Sequence, residues 1–211
     1  MIYTIIFDFG GVVIDIDYIR PIDEYQKYGI NDFEKRFSKA NQDGFFQKLE
    51  TGKVSNEVFL SEIRAISGKN LSDQQIISAW NSLITGYRKS RIQLLLEIKK
   101  NYSTFLLSNT NAFHIEKAMD LYHKEYSVPF DQLFHKIYWS HEIGMRKPNL
   151  DIFEYVLKQN NIFAHETLFI DDSIQHIEAA RSMSIKTFHL TNGMDMNDLF
   201  DTDAKLKQFD F

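Results

Sequence analysis

Short apolar segments alternate with helix-like segments from about residue 103 onward, and this alternation constrains the fold more than any other feature of the sequence. The segments are STFLLSN (103–109), KIYWS (136–140), ETLFIDD (166–172) and IKTFHL (185–190), and IYTIIFD (2–8) adds a fifth near the start of the chain. Short apolar strands separated by helices are typical of a parallel sheet with both faces covered. We therefore predict an α/β fold with a Rossmann-like, five-stranded parallel sheet that has helices on both faces.

Residues 18 to 88 follow a different pattern, with helical patches and no convincing strand. The patches are PIDEYQKYG (21–29), DFEKRFSKA (32–40), SNEVFLSEIRAIS (55–67) and SDQQIISAWNSLI (72–84). Ser72 and Gln75 have the spacing of a capping box. The block is too long for an ordinary connection between two strands of one sheet. We predict an inserted helical cap domain at 18–88 and an α/β core made of residues 1–17 and 89–211.

Composition and charge exclude several kinds of protein. The 211 residues include no cysteine, which excludes disulfides, thiolate metal sites and cysteine nucleophiles and suits a reducing, cytoplasmic interior. No apolar stretch approaches the roughly 20 residues that span a membrane, and an acid within the first apolar run argues against a signal peptide. The net charge of −5 with interleaved signs predicts no nucleic-acid partner. We expect the basic cluster RKSR (88–91), with Lys99 and Lys100, on a solvated helix.

Polar side chains follow four of the predicted strands. The first strand ends at Asp8, the second at residues 108–110 (Ser-Asn-Thr), and the fourth at Asp171 and Asp172, while GMRKP after the third contains Lys147. In parallel α/β sheets, ligands bind outside the carboxyl ends of the strands. If the first strand lies between the second and the fourth, these groups converge on a single pocket.

The three acids are a candidate metal site. Carboxylate oxygens are hard ligands suited to Mg²⁺, and a bound cation would let Asp8, Asp171 and Asp172 share a small volume without repulsion that raises their pKa values. Gly10 and Gly11 would let the backbone come close enough for an amide or carbonyl to reach a metal or a phosphate.

Ser108 and Lys147 suit a phosphate beside that metal. A hydroxyl and the neighbouring backbone N–H groups donate to phosphate oxygens, and an ammonium balances both phosphate and carboxylate. Each piece alone has an ordinary structural explanation: a strand-end Asp is more often a helix N-cap, Asp172 with Ser173 suits a cap, and Asn111 suits another. Their joint appearance at strand ends favours the functional interpretation.

The motifs FDFGGV, LLSNT, RKP and FIDDS, in this order, together resemble the four motifs of the haloacid dehalogenase-like (HAD) hydrolase superfamily. The resemblance extends over nearly the whole chain, and the insert between the first two motifs is similar to a C1 helical cap. LLSNTN and GMRKP are most similar to sugar-phosphatase members of the α-D-glucose-1-phosphatase type. The resemblance implies a Mg²⁺-dependent phosphatase that acts on a small phosphorylated metabolite such as a sugar phosphate.

The resemblance also implies a role for each matching residue. Asp8 would attack phosphorus and form an aspartyl-phosphate, which splits hydrolysis into two easier steps. The backbone carbonyl of Gly10 and the side chain of Asp172 would complete the Mg²⁺ ligands that Asp8 begins. Asp171 would bind the metal directly or through water.

The same resemblance assigns the groups that bind the phosphoryl oxygens. Ser108 and the Asn109 amide would hold these oxygens, and Lys147 would neutralise the charge that develops on them. Catalysis would then be mostly positioning and electrostatics, as expected for phosphoryl transfer.

The sequence departs from the family pattern at Gly10, where most phosphatases of the superfamily have an Asp that acts as general acid and base. Such catalysis contributes roughly 10²–10⁴-fold. Asp15 or Asp17 is a candidate replacement, with a turn and a helix cap as the favoured roles. Two alternatives follow: a non-catalytic or very slow binding module, and, with less support, a 2-haloacid dehalogenase, whose metal-free chemistry has no use for adjacent acids.

The remaining polar residues give weaker signals. The seven histidines have no paired metal spacing, so we expect them at the surface or as satisfied interior groups. NQDGFFQKLETGK (41–53) is a candidate to face the pocket, with core packing the favoured role for Phe45 and Phe46.

Overall fold

The computed structural model describes residues 1–33, 44–191 and 193–208. Its strands are β1 (Thr4–Phe7), β2 (Ile14–Ile16), β3 (Ile84–Tyr87), β4 (Ser103–Ser108), β5 (Lys136–Trp139), β6 (Thr167–Asp171) and β7 (Lys186–His189). Five of them form one parallel sheet in the order β5-β4-β1-β6-β7. The predicted five-stranded parallel sheet is therefore confirmed, with β1 at its centre.

Helices cover both faces of this sheet. The described helices are α1 (Ile19–Lys27), α2 (Gly44–Glu50), α3 (Asn56–Ser67), α4 (Asp73–Asn81), α5 (Lys89–Asn101), α6 (Ala112–Glu125), α7 (Ser140–Ile143), α8 (Leu150–Asn160) and α9 (Ile174–Ser182), with short 3₁₀ helices at Phe130–Leu133, Ala164–Glu166 and Met196–Leu199. None of these described helices is both long enough and apolar enough to cross a membrane.

The alternation of side chains along β1 explains the two-sided burial. Ile5 and Phe7 belong to a core that includes apolar side chains of α5 and α6, whereas Ile6 belongs to a second core with α8 and α9. Successive residues of a strand point to opposite faces, so a strand buried on both sides is apolar at every position. Thr4 to Phe7 are all buried, and the same holds for Thr167 to Asp171 of β6.

The small sheet formed by β2 and β3 was not predicted. The two strands pair antiparallel, with Ile14 opposite Tyr87, so the expectation of no strand within 18–88 is wrong for Ile84–Tyr87. The strands have three and four residues, which gives no periodicity to detect, and about 70 residues separate the two partners. Their pairing draws together the two ends of the inserted segment.

The inserted segment has an apolar core of its own. Tyr25, Phe33, Phe46, Phe59 and Trp80 are buried in one cluster with side chains from α1 to α4. The predicted capping box at the start of α4 is confirmed, while most of the predicted helical patch DFEKRFSKA lies outside the described residues. We propose that this cluster is the core of the cap predicted for 18–88.

The expectation that the basic cluster RKSR (88–91) lies on a solvated helix is only partly correct. Arg91 is only 2% exposed and makes ion pairs of 3.0 Å and 2.8 Å with Asp15 and Asp195. Arg88 contacts the same two carboxylates, and Lys99 donates to backbone carbonyls. The two arginines therefore tie β2 to the start of α5, because both pair with Asp15 of β2.

A hydrogen-bonded cluster joins the cap to the core. Trp80 Nε1 donates to Asn111 Oδ1 at 3.2 Å, and Asn111 also accepts from the backbone N–H of His114, which caps α6. The His114 ring stacks on Trp80 with 4.8 Å between ring centroids, and its Nε2 lies 3.2 Å from the Trp80 carbonyl. Since only a protonated Nε2 can donate to that carbonyl, Nδ1 accepts from the Asn111 amide 3.1 Å away.

Burial makes this cluster sensitive to acid. Desolvation lowers the pKa of His114 to about 4, from about 6.5 in an unfolded chain. The contribution of the neutral ring is therefore complete above pH 6.5 and is lost as the pH falls towards 4, by about 1.4 kcal/mol per pH unit and about 3 kcal/mol in total. We expect His114→Gln to flatten this part of the pH dependence of the unfolding free energy, measured by urea denaturation.

The matched control is His165→Gln, because the His165 side chain is 71% exposed. This variant should follow the wild-type pH profile. Identical profiles for the wild type and His114→Gln between pH 7 and pH 4 would contradict the prediction.

Candidate active site

The central position of β1 brings the predicted strand-end groups together. Asp8 directly follows β1, Ser108 ends β4 and Asp171 ends β6, and β4 and β6 are the two neighbours of β1. The backbone N–H of Asp8 donates to the Ile170 carbonyl at 2.9 Å, which extends the ladder to the carboxylate itself. All three polar side chains are buried.

Lys147 lies between two of the acids. Its ammonium is fully buried and donates to Oδ1 of Asp8 and Oδ2 of Asp171, at 2.7 Å in each case. Among the described residues, no group donates to the other carboxylate oxygen of Asp8. One oxygen of Asp8 is thus held by Lys147, and the second is left for another partner.

The Asn109 side chain holds the loop that supplies Lys147. Its Nδ2 donates to the Lys147 carbonyl at 2.8 Å, and its Oδ1 accepts from the Lys147 backbone N–H at 2.9 Å. This reciprocal pair occupies both ends of the side-chain amide. One N–H of the side-chain amide and the backbone N–H of Asn109 have other directions available, beside the Ser108 hydroxyl.

Asp171 is held from three directions. Besides Lys147, its carboxylate accepts from the backbone N–H of Ser173 at 2.7 Å and lies 3.0 Å and 3.1 Å from Nδ1 of His176. Burial alone would raise the pKa of Asp171, but the Lys147 charge and the hydrogen bond from His176 hold it well below its usual range. Asp171 is therefore a fixed, ionised anchor.

For Asp8, the effects that raise the pKa outweigh the effects that lower it. Burial and the neighbouring charge of Asp171 raise the pKa of Asp8 to about 7, although Lys147 acts against them. Desolvation would lower the pKa of Lys147, but the two carboxylates raise it above its ordinary value. With Asp172 also nearby, one ammonium does not neutralise three carboxylates, and the pocket stays electronegative.

A divalent cation fits this imbalance. Asp8, Asp171 and His176 each offer a ligand atom, and these atoms lie within 4.8 Å of one another. Of the predicted metal ligands, Asp8 and Asp171 belong to this group, while Gly10 and Asp172 line the same cavity as Asp8. Oxygen-rich, negatively charged sites of this kind suit Mg²⁺.

Of the two glycines, Gly11 is the one whose position requires a residue without a side chain. Its φ is +75°, and a Cβ built there would lie 2.6 Å from Oδ2 of Asp172. Such a contact is closer than van der Waals distances allow, so any side chain would displace the Asp172 carboxylate. At Gly10 the nearest atom to a built Cβ is Cδ1 of Ile16, at 3.0 Å.

Several of these groups line one cavity. Residues of the insert and of the small sheet formed by β2 and β3 complete its lining. The lining residues are Asp8, Phe9, Gly10, Ile14, Ile16, Tyr18, Glu50, Leu83, Ile84, Ser108, Asn109, Thr110, His114, Arg146, Asp172 and His176. A largely apolar cavity with a few convergent charged groups is typical of a small-molecule site.

A sequence profile of the haloacid dehalogenase-like hydrolases matches residues 2–184. The chain belongs to this family of hydrolases.

Individual relatives resemble the hydrolase over nearly its whole length. D-ribitol-5-phosphate phosphatase of Bacteroides thetaiotaomicron is 33% identical over 195 residues, which cover 92% of this chain and 95% of that protein. An aspartate-to-alanine variant of a HAD family enzyme from the same species, crystallised with magnesium and inorganic phosphate, has a TM-score of 0.91 and 33% identity, covering 96% of this chain and 100% of that one. A HAD-like family hydrolase from Porphyromonas gingivalis has a TM-score of 0.82 at 30% identity, covering 92% and 93% of the two chains.

Neither candidate for the missing acid of the hydrolase faces the cavity. Asp15 is ion-paired with Arg88 and Arg91, and Asp17 accepts from the backbone N–H of Ile19 at the start of α1. Neither Asp15 nor Asp17 is among the residues that line the cavity. The turn favoured for Asp15 is wrong, because Asp15 lies in β2, whereas Asp17 does accept a hydrogen bond at the start of α1, in keeping with the favoured helix cap.

Four lining residues were missed by the sequence reasoning. His176 is a satisfied group, as expected of the histidines, but it lies in the active site, and its position five residues after Asp171 in the first turn of α9 was the available signal. Tyr18 had no local signal, whereas Glu50 lies in the stretch 41–53 and Arg146 lies in the motif GMRKP. That stretch was a candidate to face the pocket, and Glu50 does so, while Phe46 is buried in the cap cluster.

Replacement of Lys147 tests whether its buried ammonium stabilises the two buried carboxylates. Lys147→Met leaves two buried carboxylates without their cation, and breaking a buried ion pair in this way costs about 3–5 kcal/mol. We expect the unfolding free energy of Lys147→Met in metal-free buffer at pH 8 to fall by about that amount, measured by urea denaturation.

Lys27→Met is the matched control, since Lys27 pairs with Glu24 at 2.6 Å on the exposed face of α1. Exposed pairs contribute little, so this variant should unfold like the wild type. Equal stability of Lys147→Met and Lys27→Met would refute the description.

Proposed function

We propose that this hydrolase is a Mg²⁺-dependent phosphatase that cleaves a small phosphorylated metabolite through an aspartyl-phosphate on Asp8. The observation that carries the proposal is the buried ammonium of Lys147 bridging Asp8 and Asp171 at the floor of the cavity. This arrangement holds a carboxylate nucleophile beside a positive charge. Phosphoryl transfer depends mainly on such positioning and electrostatic stabilisation.

Asp8, the backbone carbonyl of Gly10 and Asp172 would hold the cation, and Asp171 would bind it directly or through water. When bound, Mg²⁺ neutralises charge on the transferring phosphoryl group. The net negative charge of the pocket supports a cation there, as does the magnesium found in the crystallised relative.

The remaining steps depend on the residues of this chain. An oxygen of Asp8 donates an electron pair to phosphorus, and the bond from phosphorus to the ester oxygen breaks. The Ser108 hydroxyl and the Asn109 backbone N–H donate to the phosphoryl oxygens, and Lys147 balances their charge. A water molecule then attacks phosphorus and releases phosphate and the free Asp8 carboxylate.

The substrate class follows from the cavity and the relatives. The cavity combines the strand-end groups with apolar side chains, which suits a small organic molecule that carries a phosphate. The relative that acts on D-ribitol 5-phosphate matches almost the entire chain. We therefore propose a phosphorylated sugar or polyol, and D-ribitol 5-phosphate is the first compound to test.

Gly10 supports a second candidate function, a slow or non-catalytic binding module, because the cavity has no Asp at this position. The comparisons favour the phosphatase instead, since the relative matching 92% of the chain is a named phosphatase. Trapping of Asp8 by beryllofluoride without hydrolysis of any phosphoester would favour the binding module. Haloacid dehalogenation has no support from these relatives.

Phosphate release tests the phosphatase. We expect Mg²⁺-dependent release from D-ribitol 5-phosphate or from another member of a panel of phosphorylated metabolites, and loss of this activity in EDTA. Asp8→Asn should lower kcat by at least about 10³-fold, because it removes the nucleophile.

Asp17→Asn is the control, since Asp17 has its side chain at the start of α1 and outside the cavity. It should retain the wild-type rate. Activity that survives EDTA, or that survives in Asp8→Asn, would rule out this mechanism.

Gly11 tests the position of Asp172 in the cation site. A Cβ at residue 11 would displace the Asp172 carboxylate, so Gly11→Ala should weaken Mg²⁺ binding by about tenfold or more, measured by isothermal titration calorimetry. Gly68→Ala is matched, because Gly68 also has a positive φ (+62°) but has no atom within 4 Å of the built Cβ. Both variants should lose stability through backbone strain. Equal Mg²⁺ affinity in the two variants would show that Asp172 is not a ligand.

A further inference from the structure

A second charged pair lines the cavity. Arg146 Nε donates to Oε2 of Glu50 at 2.9 Å, and their side chains are only 14% and 11% exposed. Glu50 is the last residue of α2, and Arg146 directly precedes Lys147. The pair therefore joins the insert to the loop that supplies the buried ammonium.

Stability alone gives a weak reason for this pair. A buried ion pair loses about as much through desolvation as it gains through attraction, and apolar replacements are often as stable. Many of the other lining side chains are apolar, with Ile16, Leu83 and Ile84 among them. Charged groups placed in an otherwise apolar cavity wall orient a ligand and determine its specificity.

The charge of the pair indicates what it recognises. Guanidinium and carboxylate together are neutral, so they give no net attraction for a second phosphate or a carboxylate on the substrate. A guanidinium has five N–H donors and a carboxylate about four acceptor positions, so each group can hold several partners at once. A hydroxyl group, which both donates and accepts, matches such a pair.

We propose that Glu50, held by Arg146, is a specificity-determining residue that binds hydroxyl groups on the organic part of the substrate. The inference rests on the proposed phosphatase function and deepens it. It predicts that the enzyme selects polyol or sugar phosphates over phosphates of equal length without hydroxyl groups. In this proposal Glu50 contacts the organic part of the substrate and not the reacting atoms beside Asp8, so it is not a catalytic residue.

The test compares two substrates that differ only in hydroxyl groups, D-ribitol 5-phosphate and pentyl phosphate, in the wild type and in Glu50→Gln. We expect the wild type to favour the polyol phosphate by about 100-fold or more in kcat/KM, because a site built for hydroxyl groups rejects an analogue that lacks them. In Glu50→Gln this ratio should fall by about tenfold, mainly through a higher KM for the polyol phosphate. Hydrolysis of pentyl phosphate should stay within about twofold of the wild type.

Glu62→Gln is the matched control, since Glu62 is an exposed glutamate of α3 in the same insert. It should leave the ratio unchanged. Glu50→Asp provides a second variant if Glu50→Gln fails to fold, and its shorter carboxylate should give an intermediate ratio. Binding of D-ribitol 5-phosphate to Asp8→Asn, with and without Glu50→Gln, separates recognition from turnover.

Three outcomes overturn the inference and can be told apart. An equal loss on both substrates would show that Glu50 only docks the insert on the core. A wild type that prefers pentyl phosphate, or that does not discriminate, would show that the pair does not recognise hydroxyl groups. Absence of hydrolysis for these two compounds and for p-nitrophenyl phosphate would instead remove the proposed phosphatase function.

Discussion

The contact of one buried ammonium with two buried carboxylates is the interaction on which the rest of the site depends. Lys147 reaches Asp8 and Asp171 only because β1 lies next to β6 and because Asn109 holds the backbone of Lys147 from the end of β4. A buried charge requires partners at close range, so the three chain segments must converge for any of them to be stable. With Asp172 beside them the cluster has an excess of negative charge, which makes it a poor packing element and a good cation site.

The insert contributes the other half of the site, and its contacts with the core lie next to the chemical groups in sequence. Glu50 pairs with Arg146, the neighbour of Lys147, and Trp80 bonds to Asn111, two residues after Asn109. A Cβ at residue 52, where φ is +66°, would lie 2.3 Å from a backbone carbonyl of α7, so the insert also approaches the core closely there. Contacts that fix the insert are therefore coupled through one or two peptide units to the groups that we propose bind phosphate.

Features that depend on residues close together in the sequence could be predicted. The strands around Ile5 and Ile170 are apolar at successive positions because both faces of the sheet are covered. Once these strands are placed, the acids that directly follow or end them are recognisable as strand-end groups. Features that depend on a residue distant in the sequence could not be predicted. Ile84–Tyr87 is a strand because Ile14–Ile16 pairs with it, Arg91 is buried because two acids from other segments meet it, and Glu50 faces the cavity because of how the insert packs. The family resemblance supplied the roles of the strand-end groups, which local patterns alone left open.

Gly10 changes which groups can contribute to catalysis. A side chain there would point towards Ile16, an apolar neighbour whose Cδ1 is 3.0 Å from the built Cβ, and the two nearby aspartates are committed to an arginine pair and a helix cap. Neither of these two carboxylates thus faces the cavity. Proton transfer typically contributes about 10²–10⁴-fold, whereas charge stabilisation is usually the larger contribution. In the proposed mechanism the ammonium, the acids and the N–H groups beside Ser108 supply the larger of these two contributions, and protonation of the leaving group is left to water.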